Sequence, residues 1–137
     1  MFAGMDHVGV AVKNLDEAIK VYRDVLGFKL LGVNVLTERK VKVAFLGMEG
    51  ETEIELLEPL GSDSPIAKFL ENRGEGIHHV AVRVDDVEQA LEEYKKRGVM
   101  LIDEQPRAGA EGKRIAFVSP KSTGGVLLEL VEPSGTC

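Results

Sequence analysis

Residues 6–22 read DHVGVAVKNLDEAIKVY, and residues 78–94 read HHVAVRVDDVEQALEEY. The two stretches align without a gap, 72 positions apart, with His7, Val8, Val10, Val12, Ala18 and Tyr22 recurring as His79, Val80, Val82, Val84, Ala90 and Tyr94. A second block follows in the same order: ELLEP at 55–59 returns as ELVEP at 129–133, 74 positions on. Two shared blocks at nearly one offset mean two copies of one structural unit, and a period this long is a duplicated small fold rather than a solenoid repeat. The expected organisation is one domain over 1–137, built from modules at about 5–60 and 77–133 and joined near Gly74 to Gly76.

Each module opens with a strand, because Val8, Val10 and Val12 alternate with His7, Gly9 and Ala11, as Val80, Val82 and Val84 do with His79, Ala81 and Arg83. A helix follows. Asn14 and Glu17 form a capping box, Leu15, Ala18, Ile19, Tyr22 and Leu26 recur at helical spacing, and Gly27 stops the run; Asp85, Glu88 and Gly98 are expected to take those parts in the second copy. Gly-bounded apolar runs then predict strands at 29–36, 40–46 and 52–57, and at 100–104, 114–119 and 125–131. Asp63-Ser64-Pro65 starts a short connecting helix that should run to about Asn72. The fold class is therefore α+β, with each module strand, helix, strand, strand, strand.

Composition narrows the function. The 137 residues carry 17 basic against 23 acidic side chains, a net charge of −6, which opposes a nucleic-acid partner. No apolar run reaches the roughly 20 residues needed to cross a bilayer, and the N-terminus lacks the features of a signal peptide, so a cytoplasmic location is expected. The single cysteine, Cys137, stands at the last position, where neither a disulfide nor thiol catalysis is expected of it.

The chemistry belongs to the strand faces poor in valine. A lone histidine on a strand is usually structural, but His7 and His79 hold the same place in both modules, beside Gly9, Ala11 and Ala81. His78 points the opposite way on a strand of period two. Glu129 lies within Val126-Leu127-Leu128-Glu129-Leu130-Val131, where a buried carboxylate needs a cation or strong donors. Glu55 is its module-one counterpart, although Glu53 and Glu58 beside it also suit a solvated edge. Glu58 and Glu132 each precede a proline at a strand end, where exposure is expected. Two imidazoles and two carboxylates suit one divalent ion of the Co²⁺, Mn²⁺, Ni²⁺ or Zn²⁺ type, six-coordinate with positions left for substrate.

With these residues in place, the chain resembles the vicinal-oxygen-chelate superfamily, which includes glyoxalase I, extradiol dioxygenases, antibiotic-resistance proteins and methylmalonyl-CoA epimerases. The epimerase branch is the one it resembles over nearly its whole length. The most specific stretches are ELLEPLGSDSPIAKFLENRGEGIHHVAVRVDD at 55–86 and GKRIAFVSPKSTGGVLLELVEP at 112–133. The resemblance implies an open, incomplete barrel-like sheet around a metal held by His7, Glu55, His79 and Glu129, with Co²⁺ the first choice. It also implies a homodimer. Some relatives carry a catalytic Glu at the position of Val43, where Val41-Lys42-Val43-Ala44-Phe45 offers no carboxylate.

The implied reaction is epimerisation of methylmalonyl-CoA at C2: the thioester carbonyl and malonyl carboxylate chelate the ion, and the C2 proton is removed to give an enolate. Glu129 is the leading base and Glu55 the partner acid, with Lys113, Arg114 and Lys121 as candidates for the CoA phosphates. A glyoxalase-I-like lyase would use the same four ligands but needs a glutathione site. A ligand-sequestering relative would not need Glu129 in register with two histidines. A dioxygenase would usually draw its iron ligands from one module.

Overall fold

The computed structural model describes residues 2–48 and 50–133; Cys137 lies outside the described residues. The first module forms as the periodicity predicts, and the second does so with two corrections given below. The first runs β1 (Phe2–Ala11), α1 (Leu15–Ile19, continued as a π-helix over Lys20–Val25), β2 (Leu30–Leu36), β3 (Val41–Leu46) and β4 (Glu53–Pro59). After α2 (Pro65–Arg73), the second runs β5 (Gly76–Val84), α3 (Val87–Lys96), β6 (Arg107–Ala108), β7 (Arg114–Val118) and β8 (Leu128–Glu132). Among the described residues no helix is long and apolar enough to cross a membrane.

The chain divides into two compact units, residues 7–78 in one and residues before 7 together with those from 79 onward in the other. In the first, the strand order is β2-β3-β4-β1, and in the second β5-β8-β7-β6. The first strand of each module pairs parallel with its last, β1 with β4 and β5 with β8, whereas the other pairings within each unit are antiparallel. A parallel pair needs a long crossover, and the helix and two strands between supply it.

Both faces of the first unit are covered. On one, Leu15 and Ile19 of α1 pack on Val12, Ala44, Leu46 and Leu56. On the other, Ile66 of α2 packs on Ala11, Val43 and Leu57. In the second unit α3 lays Val87, Ala90 and Leu91 on Val84, Ala116, Val118 and Leu130. Burying an aliphatic side chain of this kind contributes about 1.5–3 kcal/mol.

Helix starts and stops follow local rules, with one correction. Asn14 Oδ1 accepts from the Glu17 N–H (3.0 Å), and Ser64 Oγ, fully buried, accepts from Ile66 N–H (3.1 Å) ahead of Pro65. In the second module the cap is Asp86, whose Oδ1 accepts from Gln89 N–H (3.1 Å), one residue beyond the expected Asp85 and Glu88. The 72-residue offset itself places Asn14 on Asp86 and Glu17 on Gln89. The first helix also differs from the second in winding: Leu26 N–H donates to Val21 C=O, five residues back, at 2.9 Å. Asn14 to Gly27 is one residue longer than Asp86 to Gly98, and the π turn absorbs the excess. Gly27 and Gly98 both close their helices at positive φ, 86° and 79°.

The expected strand at 100–104 is the second correction. Only a single bridge, Leu101 to Val118, forms there, and the paired segment is the short β6. Asp103 intervenes: its Oδ2 accepts the Phe117 N–H at 2.8 Å, so a side chain takes the ladder bond that a strand carbonyl would have taken.

Candidate metal centre

Strand register builds the same half-site twice. In the first unit Gly9 of β1 lies level with Glu55 of β4, which lies level with Phe45 of β3. In the second unit Ala81, Glu129 and Phe117 repeat that row on β5, β8 and β7. His7 and His79 stand two residues before Gly9 and Ala81, hence on the same face and diagonal to the carboxylates. The contacts follow: His7 Nδ1 lies 3.2 Å from Glu55 Oε2, and His79 Nε2 lies 3.1 Å from Glu129 Oε1.

His7, His79 and Glu129 are buried, at 5%, 4% and 3% exposure, and the Glu55 side chain retains 13%. Phe117 walls the second pair, its ring edge-on to His79 with centroids 6.1 Å apart. Small Gly9 and Ala81 leave room beside the carboxylates on the β1 and β5 sides, whereas Phe45 and Phe117 stand level with them on the other side. Val43 is buried in the apolar cluster with Ala11 and Ile66, so no carboxylate joins the face from β3.

The donor set fits a divalent cation. Each unit offers an imidazole nitrogen and a carboxylate oxygen, the ligand types borderline divalent ions prefer. Two ligands at about 2.1 Å from one ion and at right angles to each other are roughly 3 Å apart, which is the separation found in both pairs.

The three cations expected to meet phosphates are placed differently from one another. Lys113 Nζ lies 3.7 Å from Asp6 Oδ2, and Arg83 Nε lies 3.4 Å from the other oxygen of the same carboxylate. Arg114 stands toward α3, where its Nη2 donates to Glu88 (3.0 Å) and its Nη1 is 3.6 Å from Glu132. The Glu88 hydrogen bond first, then the Glu132 charge, raises the Arg114 pKa. Lys121 is exposed in the turn between β7 and β8.

Glu58 and Glu132 were expected at the surface and prove half-buried. Each reaches the N-terminus of its module's helix: Leu15 N–H donates to Glu58 Oε2 (3.1 Å), and Val87 N–H donates to Glu132 Oε1 (3.0 Å). They satisfy donors that a helix leaves without partners in its first turn, which is a long-range capping role. The ELLEP and ELVEP blocks thus recur for two reasons, one carboxylate facing the histidine and one facing the helix.

Residues 6–117 match the Glyoxalase/Bleomycin resistance protein/Dioxygenase superfamily. The chain belongs to this superfamily. Among its relatives, mouse (Mus musculus) mitochondrial methylmalonyl-CoA epimerase is 45% identical over 92% of this chain and 71% of its own. The crystal structure of methylmalonyl-CoA epimerase from Mycobacterium tuberculosis is 42% identical and superposes with a TM-score of 0.91, covering 98% of this chain and 90% of that one. The Streptomyces coelicolor methylmalonyl-CoA epimerase in complex with 2-nitronate-propionyl-CoA is 34% identical with a TM-score of 0.92, covering 98% and 100%. The superfamily's α+β fold with its repeated modules is the one expected from the sequence.

Proposed function

We propose that this protein epimerises methylmalonyl-CoA at C2, interconverting its S and R forms by proton transfer. The observation that carries the reading is the twice-built histidine–carboxylate pair, in the same strand register, in a chain so similar to methylmalonyl-CoA epimerases. A lyase acting on a glutathione hemithioacetal would use the same ligand types, but these relatives bear the epimerase name.

His7, Glu55, His79 and Glu129 would together hold one divalent ion, with Co²⁺ the first choice and Mn²⁺, Ni²⁺ or Zn²⁺ its rivals. When bound, the ion would supply Lewis-acid polarisation of the thioester carbonyl beside C2 and offset the negative charge that develops there. Glu129 takes the C2 proton. Its burial excludes competing water, and the Ala81 methyl is the only side chain level with it on β5. Glu55 serves as the partner acid that returns a proton on the opposite face. Of the three candidates for the CoA phosphates, Lys121 is exposed, Lys113 is shared with Asp6, and Arg114 is held by Glu88 and Glu132. A homodimer working in the cytoplasm belongs to the same reading, and light scattering and cell fractionation check it.

The deciding experiment follows one proton. In D₂O the metal-loaded protein should place deuterium at C2 of methylmalonyl-CoA while interconverting the epimers, without O₂, glutathione or a nucleotide cofactor. Absence of exchange with metal bound would sink the reading.

A further inference from the structure

Besides Arg83, which lies against Asp6, a second cation on the face that carries His79 and Glu129 lies outside the set expected from sequence. Arg107 occupies β6, level with Ile115 of β7. Directly opposed residues of an antiparallel pair share a face, and Ile115 shares its face with Phe117, which is level with Glu129. The guanidinium accordingly lies over the Phe117 ring, 5.2 Å from its centroid. The ring that walls His79 on one side thus carries a positive charge on another.

That charge is held in place. Arg107 Nε is 3.4 Å from Asp103 Oδ2, the same oxygen that accepts the Phe117 N–H. One carboxylate oxygen therefore meets both the Phe117 backbone and the cation. The side chain remains half exposed, at 52%, so the guanidinium is accessible to a solute. A guanidinium carries five N–H donors in a fixed fork, and contact through Nε leaves its two NH₂ groups to serve an anion.

The repeat supplies a control. The counterpart of Ile115, 72 residues earlier, is Val43, and its partner on the module-one edge strand is Asn34. The edge pairing forms with a neutral side chain there, so the fold does not require a cation at this place. The other face of β7 differs too, since Arg114 is already matched by two carboxylates.

We propose that Arg107 is a substrate-binding residue that grips an anionic oxygen of the acyl-CoA. The proposal rests on the epimerase reading for the identity of the ligand. The oxygen belongs either to the CoA phosphates or to the malonyl carboxylate, and the chemistry of recognition is the same for both.

The test is calorimetric titration of wild type, Arg107→Gln and Arg107→Lys with two probes. Desulfo-CoA carries the phosphates and no acyl group; methylmalonyl-pantetheine carries the carboxylate and no phosphate. Arg107→Gln should weaken one of the two by roughly tenfold, the scale of a hydrogen bond to a charged group, with part of the affinity restored in Arg107→Lys. Weakening confined to desulfo-CoA assigns the phosphates, and weakening confined to methylmalonyl-pantetheine assigns the carboxylate. Thermal melting of the same samples shows that the fold is intact. Equal affinities of wild type and the Gln variant for both probes, or no binding of either probe by wild type, overturn the proposal. Failure of the epimerase reading is recognised separately, as wild type that binds desulfo-CoA yet exchanges no C2 proton.

Discussion

The two half-sites share a register and differ in their surroundings. Around His7 and Glu55 the neighbouring end of the face is sealed by α2, with Ile66 against Ala11 and Leu57. Around His79 and Glu129 the equivalent place, offset by 72, is Arg83, tied with Lys113 to Asp6, and Arg107 stands over Phe117. Duplication therefore supplied two matching histidine–carboxylate pairs, and divergence gave one an apolar cover and the other a charged rim. The burial differs in the same sense, with 4% exposure for the Glu129 side chain against 13% for Glu55.

The largest effect is expected from removing a histidine from either half. His7→Ala and His79→Ala should each abolish stoichiometric binding of one divalent ion per chain, measured by titration of metal-free protein. Undiminished affinity in both would break the pairing of the half-sites. The next effect sharpens the difference between them: Glu129→Gln should lower C2 deuterium exchange by at least ~10²-fold, while Glu55→Gln should cost less. Metal occupancy is to be measured in the same samples, and a reversed order of the two variants would reassign the base.

Smaller effects concern the two helix caps. Glu58→Ala and Glu132→Ala should each destabilise the protein by about 1 kcal/mol in urea unfolding, since each leaves a helix-terminal N–H without its carboxylate. An effect in only one module would mean the duplicated cap has lost its value in the other. The smallest is the exposed Lys40–Asp63 pair, which has no counterpart in the second module. The Lys40 hydrogen bond is the main cause that lowers the Asp63 pKa. A depressed folded-state pKa gives stability above the unfolded value, about 3.9, and that stability is lost as pH falls through the folded value. Asp63→Asn should therefore remove a small part of the acid-limb dependence in pH-monitored unfolding and leave stability near pH 2 unchanged.

Most of the fold and the four ligand candidates are legible because they recur. His7 and His79 each sit in a run whose period fixes their face, and Glu129 interrupts an apolar strand where only paired charge is tolerated. Glu58 and Glu132 were legible as a repeat but not as caps, since their partners, Leu15 and Val87, lie more than 40 residues away in sequence. Arg107 was hidden for a related reason. Its face is set by pairing with Ile115, and local periodicity around it pointed instead to a strand at 100–104. Asp103 displaced that strand with a side-chain hydrogen bond that no propensity encodes.

The π-wound segment Lys20–Val25 bears on how the module tolerates changes in length. One surplus residue in a regular α-helix would rotate everything after it by about 100° and turn the next strand's core side chains out of place. Here the widened turn confines the surplus to a few peptide units, so Gly27 still stops the helix as Gly98 does and β2 still meets β3 along Val33 to Leu36. The helix acts as an expansion joint between β1 and β2.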